Sequence, residues 1–361
     1  MAQEGLKLSA YAGERDRAGG RLLADALMDI FARHRIHASA LFRGIEGFGI
    51  KHRLQTERLL TLSEDLPVLA TAVDGRARIE EVMAEVASVS RHGLITLERV
   101  LLVTGNRDTV ELAPGQEELK LTVYLGRQER TGGRPAHLAV VEALHRRGVA
   151  GASVLLGVDG TAAGVRRRGR FFARNAEVPA IVLSVGTRES IARALPDLRA
   201  MLTRPAMTIE RVRVCKRDGA LLARPADPPP AVGERPAHWQ KLTVIAGGRS
   251  EFDGRPLHAA LIRRLREEGA AGATALRGHW GYHGEHRPHG ESFWSLRRHV
   301  PVLTVLLDTP ANMRRWFEIV DEVTAQTGLV TSELVPALRA AGPDIEQGVL
   351  SLAEPRVPPM P

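Results

Sequence analysis

Three stretches of this chain say nearly the same thing: LKLSAYAGERDRAGGR from residue 6, LKLTVYLGRQERTGGR from residue 119 and QKLTVIAGGRSEFDGR from residue 240. A repeat of this kind fixes the architecture before any local motif is weighed. The shifts that superimpose Lys7, Lys120 and Lys241 also superimpose Gly44, Gly157 and Gly278, and then Gly47, Gly160 and Gly281. Small further changes of shift align Pro67, Pro179 and Pro301, and finally Glu98, Glu210 and Glu333. One unit is therefore present three times, over 6–104, 118–217 and 239–338. The segments 105–117 and 218–238 read as linkers and 339–361 as a flexible tail.

Within each copy the hydrophobic period changes in the same order. A strand of period two comes first. A turn and a helix follow, the helix marked by Pro135 and Pro256 at its first turn and by Gly148 and Gly269 at its end. Leu23, Leu27, Ile30 and Phe31, and in the third copy Leu257, Leu261 and Leu265, make one apolar helical face. A second strand (ASALFRG, GASVLLG, GATALRG), a long polar loop and a third strand entered through the shared proline come next. A second helix is expected over about 76–91, 188–203 and 310–326, and a closing strand carries the shared glutamate. The order βαββαβ is the ferredoxin-like arrangement, an α+β fold with both helices on one face of an antiparallel sheet. The opposite face of each sheet needs cover, and three tethered copies supply it by pressing their sheets together.

Composition narrows the function classes. The 361 residues are 44% apolar and 25% charged, as expected of a globular chain. The longest apolar runs have strand length, too short to cross a bilayer, and the first strand leaves no room for a signal peptide, so a cytoplasmic protein is expected. Cys215 is the single cysteine, which excludes an intramolecular disulfide and a multi-cysteine metal site. The formal charge is +8, yet only five of the 50 basic residues are lysine. Arginine suits bidentate contact with phosphate or carboxylate, although the bias also fits a GC-rich genome.

Copy one, with YAGERD at 11–16, FRGIEGFG at 42–49 and LSEDLPVL at 62–69, resembles the PII-like family DUF190, relatives of the nitrogen-regulatory PII proteins. Copies two and three are similar but eroded, with Thr161-Ala162 and Tyr282-His283 in place of Phe48-Gly49. The resemblance implies three tandem ferredoxin-like units packed as an intramolecular PII-like pseudo-trimer. It also implies small-molecule sites in the clefts between units and a long loop after the second strand that reports occupancy. A monomer acting as a fused trimer follows.

The loop base Arg43-Gly44-Ile45-Glu46-Gly47-Phe48-Gly49, with Lys51, His52 and Arg53 behind it, is the leading candidate site. Glycines let backbone amides approach a ligand and basic residues beside them bind an anion; the competing reading is that Gly44 and Gly47 are turn glycines needing positive φ. Gly157 and Gly160, and Arg277, Gly278 and Gly281, are the counterparts. Lys7, Lys120 and Lys241 recur on the first strand, either as movable charges for an anion or with heads in solvent and stems packed. Arg21, Arg134 and Arg255 recur just before the helix start, where an anion or plain solvation would suit them. Glu98, Glu210 and Glu333 read as structural, or as partners of arginine from another copy.

The loops diverge. Copy two carries Arg166, Arg167, Arg168, Arg170 and Arg174 around Phe171 and Phe172, a composition for nucleic acid or an acidic membrane but more simply a protein-contact loop. Copy three carries His279, His283, His286, His289 and His299 with Trp280 and Trp294. Its glycines and proline argue for a loop, and a zinc or copper site there, as in the related CutA proteins, is the alternative reading. No GxSxG, HExxH or paired nucleophile is present, so no catalytic residue is assigned and an enzyme is not expected. By the resemblance, the chain is a regulator that binds a small anionic effector, with an adenine nucleotide as candidate and no other cofactor. Its partner would be a protein, with a membrane transport protein as candidate because family members are often encoded beside fluoride-exporting channels. Specific nucleic-acid binding is not expected.

Overall fold

A computed structural model describes residues 2–49, 55–56, 65–105, 110, 112, 118–162, 165–168, 178–227, 238–283, 289–290, 300–341 and 346–352. The three repeats share one element order. First strands span Ala2–Gly13, Glu118–Gly126 and Trp239–Gly247, and each leads to a helix: α1 (Leu23–Arg33), α3 (Ala136–Arg146) and α5 (Leu257–Glu267). Second strands are Ala38–Arg43, Gly151–Leu156 and Ala273–Arg277; third strands are Pro67–Gly75, Pro179–Thr187 and Pro301–Asp308. The second helices α2 (Arg76–Val89), α4 (Arg188–Met201) and α6 (Pro310–Val323) precede closing strands at Gly93–Thr104, Ala206–Arg211 and Leu329–Val335. In every repeat the second, third, first and closing strands lie side by side in that order, all antiparallel.

Local chemistry sets the helix boundaries. Pro135 and Pro256 stand immediately before their helices, one position earlier than expected, where a missing N–H leaves no intrahelical bond unmade. Thr187 and Thr309 cap α4 and α6 by accepting the amides of Ser190 and Asn312. Gly148 and Gly269 turn the chain out of α3 and α5 at φ of 73° and 87°, a backbone region that suits residues without a Cβ. Arg35 holds the same place after α1 at φ 51°.

Each sheet is covered on both faces. Leu6 and Leu8 point to α1 and α2 within the core of repeat 1, and separate helix-facing cores serve repeats 2 and 3. The opposite faces meet in a further core built from all three repeats, including Phe42 and Leu69, Tyr124 and Ile181, and Leu276 and Leu303. The apolar strand residues on both faces thus find partners without water, which explains the near-continuous hydrophobic runs.

The loop after the second strand begins with a short strand absent from the sequence reading. This arm spans Glu46–Phe48, Asp159–Ala162 and Trp280–His283 in the three repeats. Each arm leaves its own repeat: that of repeat 1 pairs with the second strand of repeat 3, that of repeat 2 with repeat 1, and that of repeat 3 with repeat 2. The end of each repeat, in or just beyond its closing strand, runs the other way round. Leu101–Thr104 pairs with Ala206–Ile209 of repeat 2, Arg213–Arg217 with the closing strand of repeat 3, and Ala337–Ala341 with Gly93–Leu97 of repeat 1.

That last pairing corrects the expected loose tail. Residues 337–341 form a strand and Glu346–Val349 returns against it as a hairpin, while Leu350 and Leu352 pack on the core of repeat 1. The edge of a closing strand would otherwise expose unpaired backbone groups. The second linker is likewise structured at its start, where Ala220–Leu221 pairs with Lys216 and Arg217. Val110 and Leu112 of the first linker pack against the core of repeat 2. Among the described residues no helix is long and apolar enough to cross a membrane.

Candidate ligand clefts between the repeats

The inward face of each first strand carries a lysine, and strand register sets the shared glutamate opposite it: Lys7 with Glu98, Lys120 with Glu210, Lys241 with Glu333. Within a repeat the ammonium lies 3.1–3.2 Å from that carboxylate. Each lysine also donates a closer hydrogen bond across to another repeat: Lys7 to Glu210, Lys120 to Glu333 and Lys241 to Glu98. Six alternating charges therefore close into one buried ring. Against the burial that opposes charge, Lys241 and Lys7 hold Glu98 well below the usual carboxylate range, and Lys120 and Lys241 lower Glu333. Burial also opposes the charge of Lys7, yet Glu210 and Glu98 raise it above its ordinary value; at Lys120 burial outweighs the same two-carboxylate contact and lowers it. Every ammonium thus touches two carboxylates, one of its own repeat and one of another. The glutamate oxygens lie within 4.8 Å of one another, but the three ammonium groups already supply the cations.

The ring revises two sequence readings. Lys120 and Lys241 are buried and Lys7 nearly so, and all three are engaged in the ring and line neither cavity described below, so they do not present a charge to a ligand there. The partners of Glu98, Glu210 and Glu333 are lysines, not arginines. Next to the ring lies a layer of buried hydroxyls, Ser9, Thr96, Thr122, Thr208, Thr243 and Thr331, from the same strands two residues on.

The recurring glycines also have a steric explanation. A Cβ on Gly47, Gly160 or Gly281 would stand 2.6, 2.2 or 2.4 Å from a backbone oxygen of the neighbouring repeat, so the arm docks only where no side chain intervenes. A Cβ on Gly44, Gly157 or Gly278 would meet the third-strand proline at 2.6–2.7 Å. None of the six has positive φ, so the turn explanation falls and close approach replaces it.

Equivalent cavities open beside two of the arms. One of about 320 Å³ lies between repeats 2 and 3, lined by Ser153, Arg217, Arg249, Ser250 and Tyr282. Another of about 380 Å³ lies between repeats 3 and 1, lined by Tyr11, Asp16, Asp65, His92, Trp239 and Asp308. Both are walled by a second strand, the turn after the next repeat's first strand, the arm, and chain beyond a closing strand. Their charge differs at that turn. Asp16 in repeat 1 accepts the Gly13 amide at 2.8 Å and Glu129 in repeat 2 the Gly126 amide at 3.3 Å. In repeat 3 the matching residue is Ser250, whose amide donates to the Gly247 carbonyl at 2.8 Å, and Arg249 enters the lining. The cavity between repeats 2 and 3 thus carries Arg217 and Arg249 against Asp218, with Arg217 3.6 Å from Glu118 at its far side. The other cavity is acidic among its described residues.

The sequence-derived loop base divides between these places. Phe48 and Gly49 line the cavity between repeats 3 and 1, and Arg43 pairs with Glu14 at 2.9 Å near the surface. Arg277 is exposed at the end of its strand. Lys51, His52 and Arg53 lie outside the described residues. Arg21 and Arg134 bind Asp29 and Glu142 on the helices they precede, which accounts for two of the recurring helix-entry arginines.

Each arm also rests on the first helix of the neighbouring repeat, and the contact chemistry differs every time. Arg166, from the arginine loop of repeat 2, is held by Asp159 and by Asp29 of α1, so it is not presented to nucleic acid. Arg167 and Arg168 lie on a short strand beside it, while Arg170, Arg174, Phe171 and Phe172 lie outside the described residues. Glu46 of repeat 1 faces His258 of α5 at 3.7 Å; burial lifts the Glu46 carboxyl to about 7 and pushes His258 down to about 4, with Arg277 adding to the latter. His279 of repeat 3 faces His137 of α3, the ring centroids 6.4 Å apart. His283 and His289 lie on paired strands and not in an irregular loop, and His286 lies outside the described residues. His137 and His258 were missed from sequence, although both stand two residues after the proline before a first helix, a coincidence the repeat alignment exposes. Cys215 is enclosed and burial pushes its thiol up to about 12, which suits a packing role.

A family model described as "Uncharacterized ACR", DUF190, matches the chain three times, over 5–102, 118–214 and 239–337. The chain is also similar to a UPF0166 protein of Aquifex aeolicus (strain VF5), 28% identical over 98 residues that cover 27% of this chain and 90% of that protein.

Proposed function

Because the chain belongs to the DUF190 family, carrying it in three tandem copies, we propose that it is a non-enzymatic, PII-like regulator that binds a small anionic effector in a cleft between repeats. In this reading the three units are ferredoxin-like and act as a pseudo-trimer within one polypeptide, a cytoplasmic monomer. The observation that carries the reading is the change at the turn lining the cavity between repeats 2 and 3. Where repeats 1 and 2 keep a carboxylate, repeat 3 has Ser250, and Arg249 and Arg217 leave that cavity with an excess of positive charge. Two arginines with the backbone amide of Gly247 nearby suit a phosphate or carboxylate. An adenine nucleotide is the candidate effector. Occupancy biases the arm of repeat 3, and the loop that follows it engages a protein partner, with a membrane transport protein as candidate.

The test is a thermal-shift series with ATP, ADP, AMP and inorganic phosphate. Ligand at about 100 times its dissociation constant adds roughly 2.7 kcal/mol. A midpoint raised by one of these anions, and no longer raised in Arg249→Ala and Arg217→Ala, is the expected result. Midpoints indifferent to all four anions overturn the reading. Capture from a membrane fraction with and without the active anion then addresses the partner, and recovery of no membrane protein in either condition removes the transporter.

A further inference from the structure

We propose that the cavity between repeats 3 and 1 binds a small organic ammonium ion, held by Asp16 and Asp65 against the aromatic side chains of Tyr11 and Trp239. At about 380 Å³ the cavity has the size of a small-molecule site. Its described lining carries three aspartates and one histidine but neither lysine nor arginine, in contrast to the two arginines between repeats 2 and 3. The three stretches that set copy one apart in the sequence meet here. Tyr11 and Asp16 come from YAGERD, Phe48 from FRGIEGFG, and Asp65 and Pro67 from LSEDLPVL.

The polar groups are fixed in place by the fold. Asp16 accepts the Gly13 amide at 2.8 Å through Oδ2, and Asp65 accepts the Arg15 amide at 2.7 Å through Oδ1. A Cβ on Gly13 would stand 2.8 Å from Asp65 Oδ2, so glycine is what lets this carboxylate lie against the turn. Asp308, 4% exposed, is held by Thr309, Asn312 and Trp316 at 2.7–2.9 Å and adds its charge from deeper in the wall. Thr274, 8% exposed, brings to the same lining a hydroxyl that makes no hydrogen bond among the described residues, and buried polar groups nearly always have a partner. The C-terminal hairpin sets the indole of Trp239, since a Cβ on Gly348 would stand 3.1 Å from its Cζ2. Aromatic faces attract a cation, and carboxylates accept hydrogen bonds from its N–H groups. A bare metal ion does not fit: among the described residues the acidic groups close enough to share one ion are Glu98, Glu210 and Glu333, in the ring. Carboxylates spread along a wall that also holds Val305, Leu307 and Leu338 suit a molecule with both an alkyl chain and an ammonium group.

The experiment is calorimetric titration of the full chain with putrescine and with choline, followed in parallel by tryptophan fluorescence because Trp239 lies in the wall. One molecule per chain is expected for at least one of the two, with an affinity that falls about tenfold or more in Asp16→Asn and in Asp65→Asn. The affinity is expected to be unchanged in Arg249→Ala, which alters the other cavity. Asparagine keeps the size of the side chain and an oxygen for the backbone amide; circular dichroism checks folding, and Asp16→Asn carries the test where Asp65→Asn does not fold. Butanol, which has the chain without the charge, and Mg²⁺, which has the charge without the chain, are expected to give no saturable heat. The proposal is overturned if neither amine binds, if the affinity is indifferent to Asp16→Asn, or if butanol or Mg²⁺ binds equally well at the same place. Because Arg217 and Arg249 are untouched, failure here leaves the anion result standing, and the reverse.

Discussion

Lys120 touches two carboxylates that belong to different repeats, Glu210 of its own and Glu333 of the next. Replacing it with methionine leaves both glutamates buried with one ammonium fewer, and breaking a buried pair in this way costs about 3–5 kcal/mol. Urea unfolding of Lys120→Met is expected to show a loss of that size, whereas Arg204→Met, at an exposed position, would show almost none. A second residue-scale expectation concerns pH. The Glu46 carboxyl keeps its proton to about 7 in the folded protein, against an ordinary value of 4.5. Between those values the unfolded chain ionises and the folded one does not, so this group's contribution to stability falls as pH rises from 4.5 to about 7. Glu46→Gln is expected to remove that part of the pH dependence and to stabilise the protein above pH 7; urea midpoints across the range, if they keep the wild-type slope, would refute it. At this scale the sequence was half legible. Recurrence marked Lys7, Lys120, Lys241 and the three glutamates, but their mutual pairing needs register and inter-repeat distance, which periodicity does not contain. His137 and Arg249 were invisible for the same reason, since each gains its meaning from a neighbouring repeat.

The arms are the elements that bind the repeats together, and their glycines set how closely they can lie. At Gly160 an added Cβ would stand 2.2 Å from the Ser39 carbonyl, so Gly160→Ala must push the arm of repeat 2 off repeat 1. Overpacking of this kind costs about 1–3 kcal/mol. Limited trypsin digestion should then cut faster at Arg166, Arg167 or Arg168, on the strand that follows the arm, and an unchanged cleavage rate would show that the close approach has no energetic consequence. The helices and long strands were legible because each carries its own period and its own stop: α2, α4 and α6 end within three residues of the expected positions. Arms of three or four residues carry no such signal, and Glu46-Gly47-Phe48 reads as loop in isolation. The strand at 337–341 was lost because ALRAA has little β-type side-chain bulk; it is ordered by the open edge of repeat 1.

For the whole molecule, the central core, the ring and both sets of exchanged strands draw on every repeat. No repeat buries its inner face alone, so calorimetry is expected to record a single unfolding transition that circular dichroism and tryptophan fluorescence follow together. Three separable transitions would mean that the repeats are independent domains. That the inner faces cover one another was legible from the repeat count and from the need to cover a second sheet face, while the differing charge of the two cavities was not, because it turns on which residues converge at a turn.

The arms cross between repeats in one rotational sense, and that gives the assembly a form of addressing. Gly281 and Tyr282 line the cavity between repeats 2 and 3, and Phe48 and Gly49 the one between repeats 3 and 1. Each arm runs straight on into the loop of its own repeat. A molecule lodged in either cavity would therefore touch the root of a single loop, and those two loops differ in sequence. Under the function proposed above, a chain written this way would carry separate inputs, where three identical subunits would repeat one message.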